Sequence, residues 1–104
     1  MAAQAWTWTA MKAANKAAGR FYWSRGSVKC FRSRNEGRPY SGPGGVFAVV
    51  SRQFVGSDGT AEPRQFSVIQ FAAETGEVRG IGQCETRAEA LAYARARAAG
   101  EVRA

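Results

Sequence analysis

Apolar residues recur at helical spacing near the start of the chain. One side of the predicted helix carries Trp8, Met11, Ala14 and Ala18, and the other side carries Lys12, Asn15 and Lys16. Thr7 or Thr9 is suited to cap the beginning of this helix, and Gly19 can end it in the left-handed conformation. Residues 1–6 are expected to form a flexible tail.

A second helix is predicted near the end of the chain. Thr86 and Glu89 have the spacing of a capping box, in which a hydroxyl and a carboxylate satisfy backbone N–H groups at the helix start. The helix then runs through Leu91 and Ala98 and is predicted to stop at Gly100.

Between the two helices, apolar and polar residues alternate in a way that predicts strands. Five segments fit this pattern, at residues 20–24, 28–33, 46–54, 65–71 and 78–83. The first two are expected to form a hairpin, and the third is apolar enough to be central in a sheet. Residues 37–45 contain four glycines and two prolines, so they are predicted to form a loop.

The order of these elements indicates the fold class. A helix, about five strands and a helix, with no parallel crossover required, indicate an α+β fold. We expect an antiparallel sheet of about five strands between an N-terminal and a C-terminal helix. The length of 104 residues suits a single domain, which is expected to span residues 7–100.

The chain has no histidine and two cysteines, which excludes several kinds of site. The familiar serine and cysteine nucleophiles require an imidazole base. Zinc sites that contain histidine lack their ligands, and two thiolates cannot complete a four-cysteine site. The sequence therefore predicts a binding protein, not an enzyme, with no metal or other cofactor.

The apolar runs of the chain are much shorter than the ~20 residues of a membrane helix, and residues 1–5 lack the features of a signal peptide. We therefore expect a cytoplasmic protein without membrane association. Cys30 and Cys84 are then expected to be reduced and to act as small buried side chains. The spacing leaves open whether the two lie close together.

Positive charge is concentrated in the first half of the chain, and the net charge is +7. Residues 1–54 contain nine basic residues and one acidic residue, whereas residues 55–104 contain six basic and seven acidic residues. This asymmetry points to a polyanionic partner, although an ordinary solvated basic surface would give the same count.

Basic and aromatic residues alternate within the most basic segment. Nucleic-acid surfaces need cations for phosphates and flat side chains for bases, and this segment offers both. The predicted contact surface consists of Arg20, Tyr22, Arg25, Lys29, Arg32, Arg34 and Arg38. Phe21, Trp23 and Phe31 are expected to lie in the core.

Residues 64–98 resemble a known DNA-binding module. The segment combines a strand, the turn at residues 74–77, a second strand with glycines at positions 80 and 82, and the capped final helix. This arrangement is similar to the three-strand-plus-helix domains at the front of phage integrases. The resemblance implies a sheet that lies in the major groove of DNA.

Seven short motifs spread over residues 8–98 carry a second resemblance, and they lie at residues 8–12, 14–19, 21–23, 31–34, 51–54, 64–68 and 86–92. Through these motifs most of the chain resembles a group of small uncharacterised phage and prophage proteins. This resemblance implies a phage origin and no enzymatic activity. It also implies action by stoichiometric blockade of host machinery, of which anti-CRISPR proteins are the best-known kind.

Three functions are consistent with the charge and the resemblance. The leading hypothesis is a monomer or homodimer that docks through its basic surface on a nucleic-acid-handling complex in a bacterial cytoplasm and blocks it, as an anti-CRISPR inhibitor does. Its direct partner is then an acidic protein surface or a nucleic acid. The first alternative is an accessory protein that binds DNA or RNA directly. The second is a structural or virion accessory protein whose charge serves solubility.

Overall fold

A computed structural model describes residues 6–24 and 32–101 of the chain. The helices are α1 (Trp8–Ala17), a short 3-10 helix (Tyr22–Ser24) and α2 (Arg87–Ala99). The strands are β1 (Arg34–Gly42), β2 (Gly45–Arg52), β3 (Gln65–Ala72) and β4 (Glu77–Cys84). Each strand pairs antiparallel with the next, in the order β1-β2-β3-β4. The predicted α+β class is confirmed, but the sheet has four strands within the described residues and not about five.

The segment after α1 is not the predicted strand. Residues 20–24 contain the 3-10 helix instead, because Phe21 has a φ of 54° that turns the chain out of the extended conformation. Most of the second predicted strand, residues 28–33, lies outside the described residues. Arg32 has a φ of 42°, and β1 begins only at Arg34.

The glycine- and proline-rich segment at residues 37–45 belongs to a hairpin, so the prediction of a loop is wrong. β1 lies at the edge of the sheet. Between Glu36 and Tyr40, three residues of β1 bulge out opposite one residue of β2. Gly37 supplies a positive φ of 63°, and Pro39, which has no N–H group, is tolerated at a bulge in an edge strand.

β2 is buried on both faces of the sheet and forms the centre of the core. One face packs against α1, and the buried residues there are Met11, Val46, Ala48, Val50, Ile69 and Phe71. The other face packs against α2, and the buried residues there are Phe47, Val49, Val68, Ala90, Ala94 and Ala98. The apolar run that predicts a central strand therefore lies between two helical layers.

The ends of both helices agree with the sequence pattern. Thr7, and not Thr9, caps α1 by accepting a hydrogen bond from a backbone N–H in the first turn. At α2 the Thr86 hydroxyl accepts from the N–H of Glu89, and Gly100 ends the helix with a φ of 79°. Within the described part of the chain, neither helix has the length and apolar character needed to cross a membrane.

Asn15 lies inside the molecule, although the helical pattern places it on the polar side of α1. It is 1% exposed. Its side-chain N–H donates to the carbonyl oxygen of Gly76 (2.7 Å), and its side-chain oxygen accepts from the N–H of Tyr22 (2.7 Å). This close approach needs a glycine, because a Cβ at position 76 would lie 2.8 Å from the Ala14 carbonyl oxygen. Asn15 therefore ties α1 to the turn between β3 and β4.

We expect Asn15→Ala to lower the free energy of unfolding by about 2–4 kcal/mol, because it leaves the Gly76 carbonyl and the Tyr22 N–H without their partner. Urea denaturation followed by circular dichroism measures the loss. Lys16→Ala, an exposed change in the same helix, serves as the control and should alter stability by less than about 0.5 kcal/mol. Equal losses in the two variants would contradict this role of Asn15.

Candidate functional site

Three arginines from separate segments converge at one end of the sheet. Arg34 is the first residue of β1, Arg32 lies just before it, and Arg64 immediately precedes β3. They meet because antiparallel pairing places the starts of β1 and β3 on the two sides of the end of β2. These three residues, the arginine cluster, line a shallow, open depression together with Ser33, Gln53 and Phe66.

Arg64 is the half-buried member of the cluster, whereas Arg32 and Arg34 are exposed. Its Nη1 donates to the carbonyl oxygen of Arg32 (2.9 Å) and to the hydroxyl oxygen of Ser51 (2.9 Å). Burial lowers the pKa of Arg64, and the charges of Arg34 and Arg32 lower it further. The negative charge of Glu36 raises the pKa of Arg64 but does not outweigh these effects. A guanidinium still stays protonated at neutral pH, so the cluster holds three positive charges.

A buried carboxylate organises the cluster. Glu36, on β1, is 9% exposed. It accepts hydrogen bonds from the Ser51 hydroxyl (2.6 Å) and from Nε of Arg87 (3.1 Å), and it lies 3.6 Å from Nε of Arg34. Since Ser51 also accepts a hydrogen bond from Arg64, this one carboxylate connects β1, β2, α2 and the start of β3.

Two opposing effects set the pKa of Glu36. Burial raises it, because the charged form loses contact with water. Hydrogen bonds from Ser51 and Arg87 and the charges of Arg34 and Arg87 lower it by more, so the pKa lies below its ordinary value. The carboxylate is therefore ionised at neutral pH and partly neutralises its arginine neighbours.

Positive charge is not balanced by negative charge within the described lining of the depression. The described residues that line the depression include three arginines and no carboxylate. Like charges at short range repel each other, and an added anion would relieve that repulsion. Guanidinium groups bind phosphate and carboxylate groups bidentately, so anions of this geometry suit the depression.

The structure distributes the predicted contact residues over the molecule. Arg32 and Arg34 lie together in the cluster, whereas Arg20 pairs with Glu77 (3.8 Å) at the opposite end of the sheet. The length of β3, eight residues, separates these two ends by about 25 Å. Arg20 and the cluster therefore cannot contact the same phosphate.

The other residues predicted for the contact surface or the core lie apart from the cluster or outside the described ranges. Arg38 lies in the bulge of β1, 5.5 Å from the ring centre of Tyr40. Tyr22 is half-buried and packs on the core and on Trp23. Phe21, which the alternating pattern places in the core, is 47% exposed because the chain turns there instead of continuing as a strand. Three residues fall outside the described ranges, namely Arg25, Lys29 and Phe31.

Sequence reasoning missed four of the six residues that line the depression. The missed residues are Ser33, Gln53, Arg64 and Phe66, and the supporting Arg87 was missed as well. Arg64 and Arg87 belong to the half of the chain with more acidic than basic residues, so the charge count hid them. The sequence did contain a signal for Arg64. If the third and fourth predicted strands pair antiparallel across the loop at residues 56–63, Arg64 lies beside the end of the third strand.

Cys84 and the acidic residues offer little for catalysis or metal binding. Cys84 is a free, half-buried thiol at the end of β4. Burial and the negative charge of Glu89 raise its pKa, which disfavours the reactive thiolate at neutral pH. In residues 6–24 and 32–101, no three acidic or cysteine side chains are grouped so that they could hold a metal ion. Cys30 lies outside these ranges.

No protein-family model, curated protein or solved structure matches the chain. The resemblances to small phage proteins and to integrase-type domains therefore stay predictions that rest on the residues that carry them. A functional hypothesis has to begin with the arginine cluster and its geometry.

We expect Glu36→Gln to lower the free energy of unfolding at pH 7 by about 1–2 kcal/mol, because the exposed Arg34 and Arg87 lose the anion that they share. The pKa of Glu36 is depressed in the folded protein, so its contribution is complete above the ordinary value and is lost as pH falls through the folded pKa. The stability difference between wild type and variant should therefore shrink toward acid.

Urea denaturation over a pH series from about 7 to 2 measures this difference. Glu74→Gln, an exposed change in the turn between β3 and β4, is the control. If the difference in unfolding free energy between wild type and Glu36→Gln stays constant across the series, the role of the carboxylate is contradicted.

Proposed function

We propose that the protein is a non-enzymatic binding protein that docks on nucleic-acid phosphates through the arginine cluster. The observation that carries the proposal is the convergence of Arg32, Arg34 and Arg64 on one open depression. A nucleic acid presents phosphates at short, regular intervals, so neighbouring phosphates can neutralise such a cluster together. Arginine also matches the geometry of a phosphate better than lysine does.

An acidic protein surface is the competing partner. Tight protein interfaces rely on a few aromatic or arginine side chains that fill well-packed pockets and lose all contact with water. The depression is shallow, and Arg32 and Arg34 at its border are exposed. This shape favours a phosphate backbone, which lies on the outside of its own molecule.

The setting that we propose is a nucleoprotein complex of a bacterial host. The resemblance to small phage proteins supports a role in which the cluster covers nucleic acid held by such a complex and blocks it, as an anti-CRISPR inhibitor does. An accessory protein that binds free DNA or RNA would use the same surface. The affinity of the cluster for phosphates is therefore the property to measure first.

We expect a fluorescently labelled oligonucleotide to bind at low salt, with an affinity that falls steeply as the salt concentration rises. Three phosphate contacts correspond to a log–log slope of about −2 to −3. Fluorescence anisotropy at about 50 and 200 mM salt measures this slope. No binding to DNA or RNA at the lower salt concentration would refute the proposal.

Substitutions then locate the contact. Arg32→Ala and Arg34→Ala should each make the slope shallower by about 0.7–0.9 and weaken binding to all nucleotide sequences alike. The control, Arg95→Ala, removes the same charge from an exposed position on α2 and should leave the slope unchanged. Equal effects of all three changes would show that overall charge, and not the cluster, drives binding.

A further inference from the structure

We infer that the nucleic acid bound by the arginine cluster is single-stranded and that one of its bases lies against Phe66. This inference rests on the proposed function and adds the class of nucleic acid. Its basis is that an aromatic ring and three guanidinium groups line the same depression. Single strands are bound by this combination, in which cations follow the phosphates and aromatic rings stack on the bases.

Phe66 has a fixed position beside the cluster. It lies on β3, pairs with Ser51 on one side and with Cys84 on the other, and packs partly against the core beneath α2. Ser51 is also the residue whose hydroxyl holds Arg64. The Phe66 ring and the Arg64 guanidinium are therefore positioned by adjacent strands of one sheet, and little ordering is needed when a ligand binds.

A duplex fits this arrangement poorly. In a double helix, neighbouring bases cover the faces of each base, so a protein ring reaches one only after that base leaves the stack. Bases of a single strand can be splayed out and stacked on aromatic side chains without unpairing. A depression that joins a phosphate site to an aromatic ring therefore selects the single strand.

A second depression nearby offers a competing position for the base. It is lined by Arg52, Phe54, Glu62, Pro63 and Gln65. Phe54 is 47% exposed and thus more accessible than the half-buried Phe66. The Glu62 carboxylate in this second depression repels phosphates, whereas the described lining of the first depression is entirely positive or neutral. By exposure alone, Phe54 would be the better stacking position for the base, whereas the charge of the surrounding side chains favours Phe66.

The test compares Phe66→Leu with its matched control Phe54→Leu, since leucine keeps apolar bulk but has no flat ring. The probes are a fluorescein-labelled single strand of about 12 nucleotides and the same strand annealed to its complement. Wild type should bind the single strand more tightly than the duplex. Phe66→Leu should weaken single-strand binding by about 5- to 20-fold without changing the salt slope, and Phe54→Leu by less than about 2-fold.

Phe66→Tyr distinguishes loss of the ring from disturbance of the core, because it keeps the ring and should keep the affinity. Urea denaturation shows whether each variant is folded under the binding conditions. Tighter binding of the duplex, or a loss in Phe54→Leu without one in Phe66→Leu, would overturn the inference and leave the proposed function intact. Failure of wild type to bind either probe would overturn both.

Discussion

Burial of β2 on both faces is the constraint on which the rest of the structure depends. A strand with apolar residues on both sides needs a covering layer on each, and α1 and α2 provide them. Ser51 interrupts the apolar run near the end of β2 and is completely buried. Its hydroxyl therefore needs partners inside the protein, and it has them in Glu36 and Arg64. The polar network under the arginine cluster is thus a consequence of how the core is built.

The positively charged guanidinium groups of the arginine cluster repel one another at the surface of the protein. Glu36 contacts Arg34 and Arg87 directly and reaches Arg64 only through Ser51, so the guanidinium groups are only partly neutralised. A bound anion would reduce this repulsion, and a ligand that binds only the folded state also stabilises it. Binding and stability are therefore coupled at this end of the sheet, and the same carboxylate influences both.

Local signals were easier to interpret from the sequence than long-range ones. The ends of α2 were predictable because Thr86 and Gly100 act on the backbone within one turn. The start and course of β1 were not predictable, because Gly37 and Pro39 sit in a bulge at a sheet edge, where pairing tolerates residues that elsewhere form loops. Arg34 could be assigned to a basic surface from its neighbours in sequence. Arg64 could not be assigned to this surface from its sequence neighbours, because its place beside Arg34 depends on the register of three strands.

The hydrogen bond between Asn15 and Gly76 joins residues 61 positions apart. Translation adds about 5–20 residues per second, so Gly76 is made roughly 3–12 s after Asn15. During that interval α1 has only 10 residues, which is too short for a helix that is stable on its own. Met11 packs against β2 and β3, and the β3 residues Ile69 and Phe71 are made only shortly before Gly76. The first helix of the sequence therefore takes its place only after most of the chain has been synthesised.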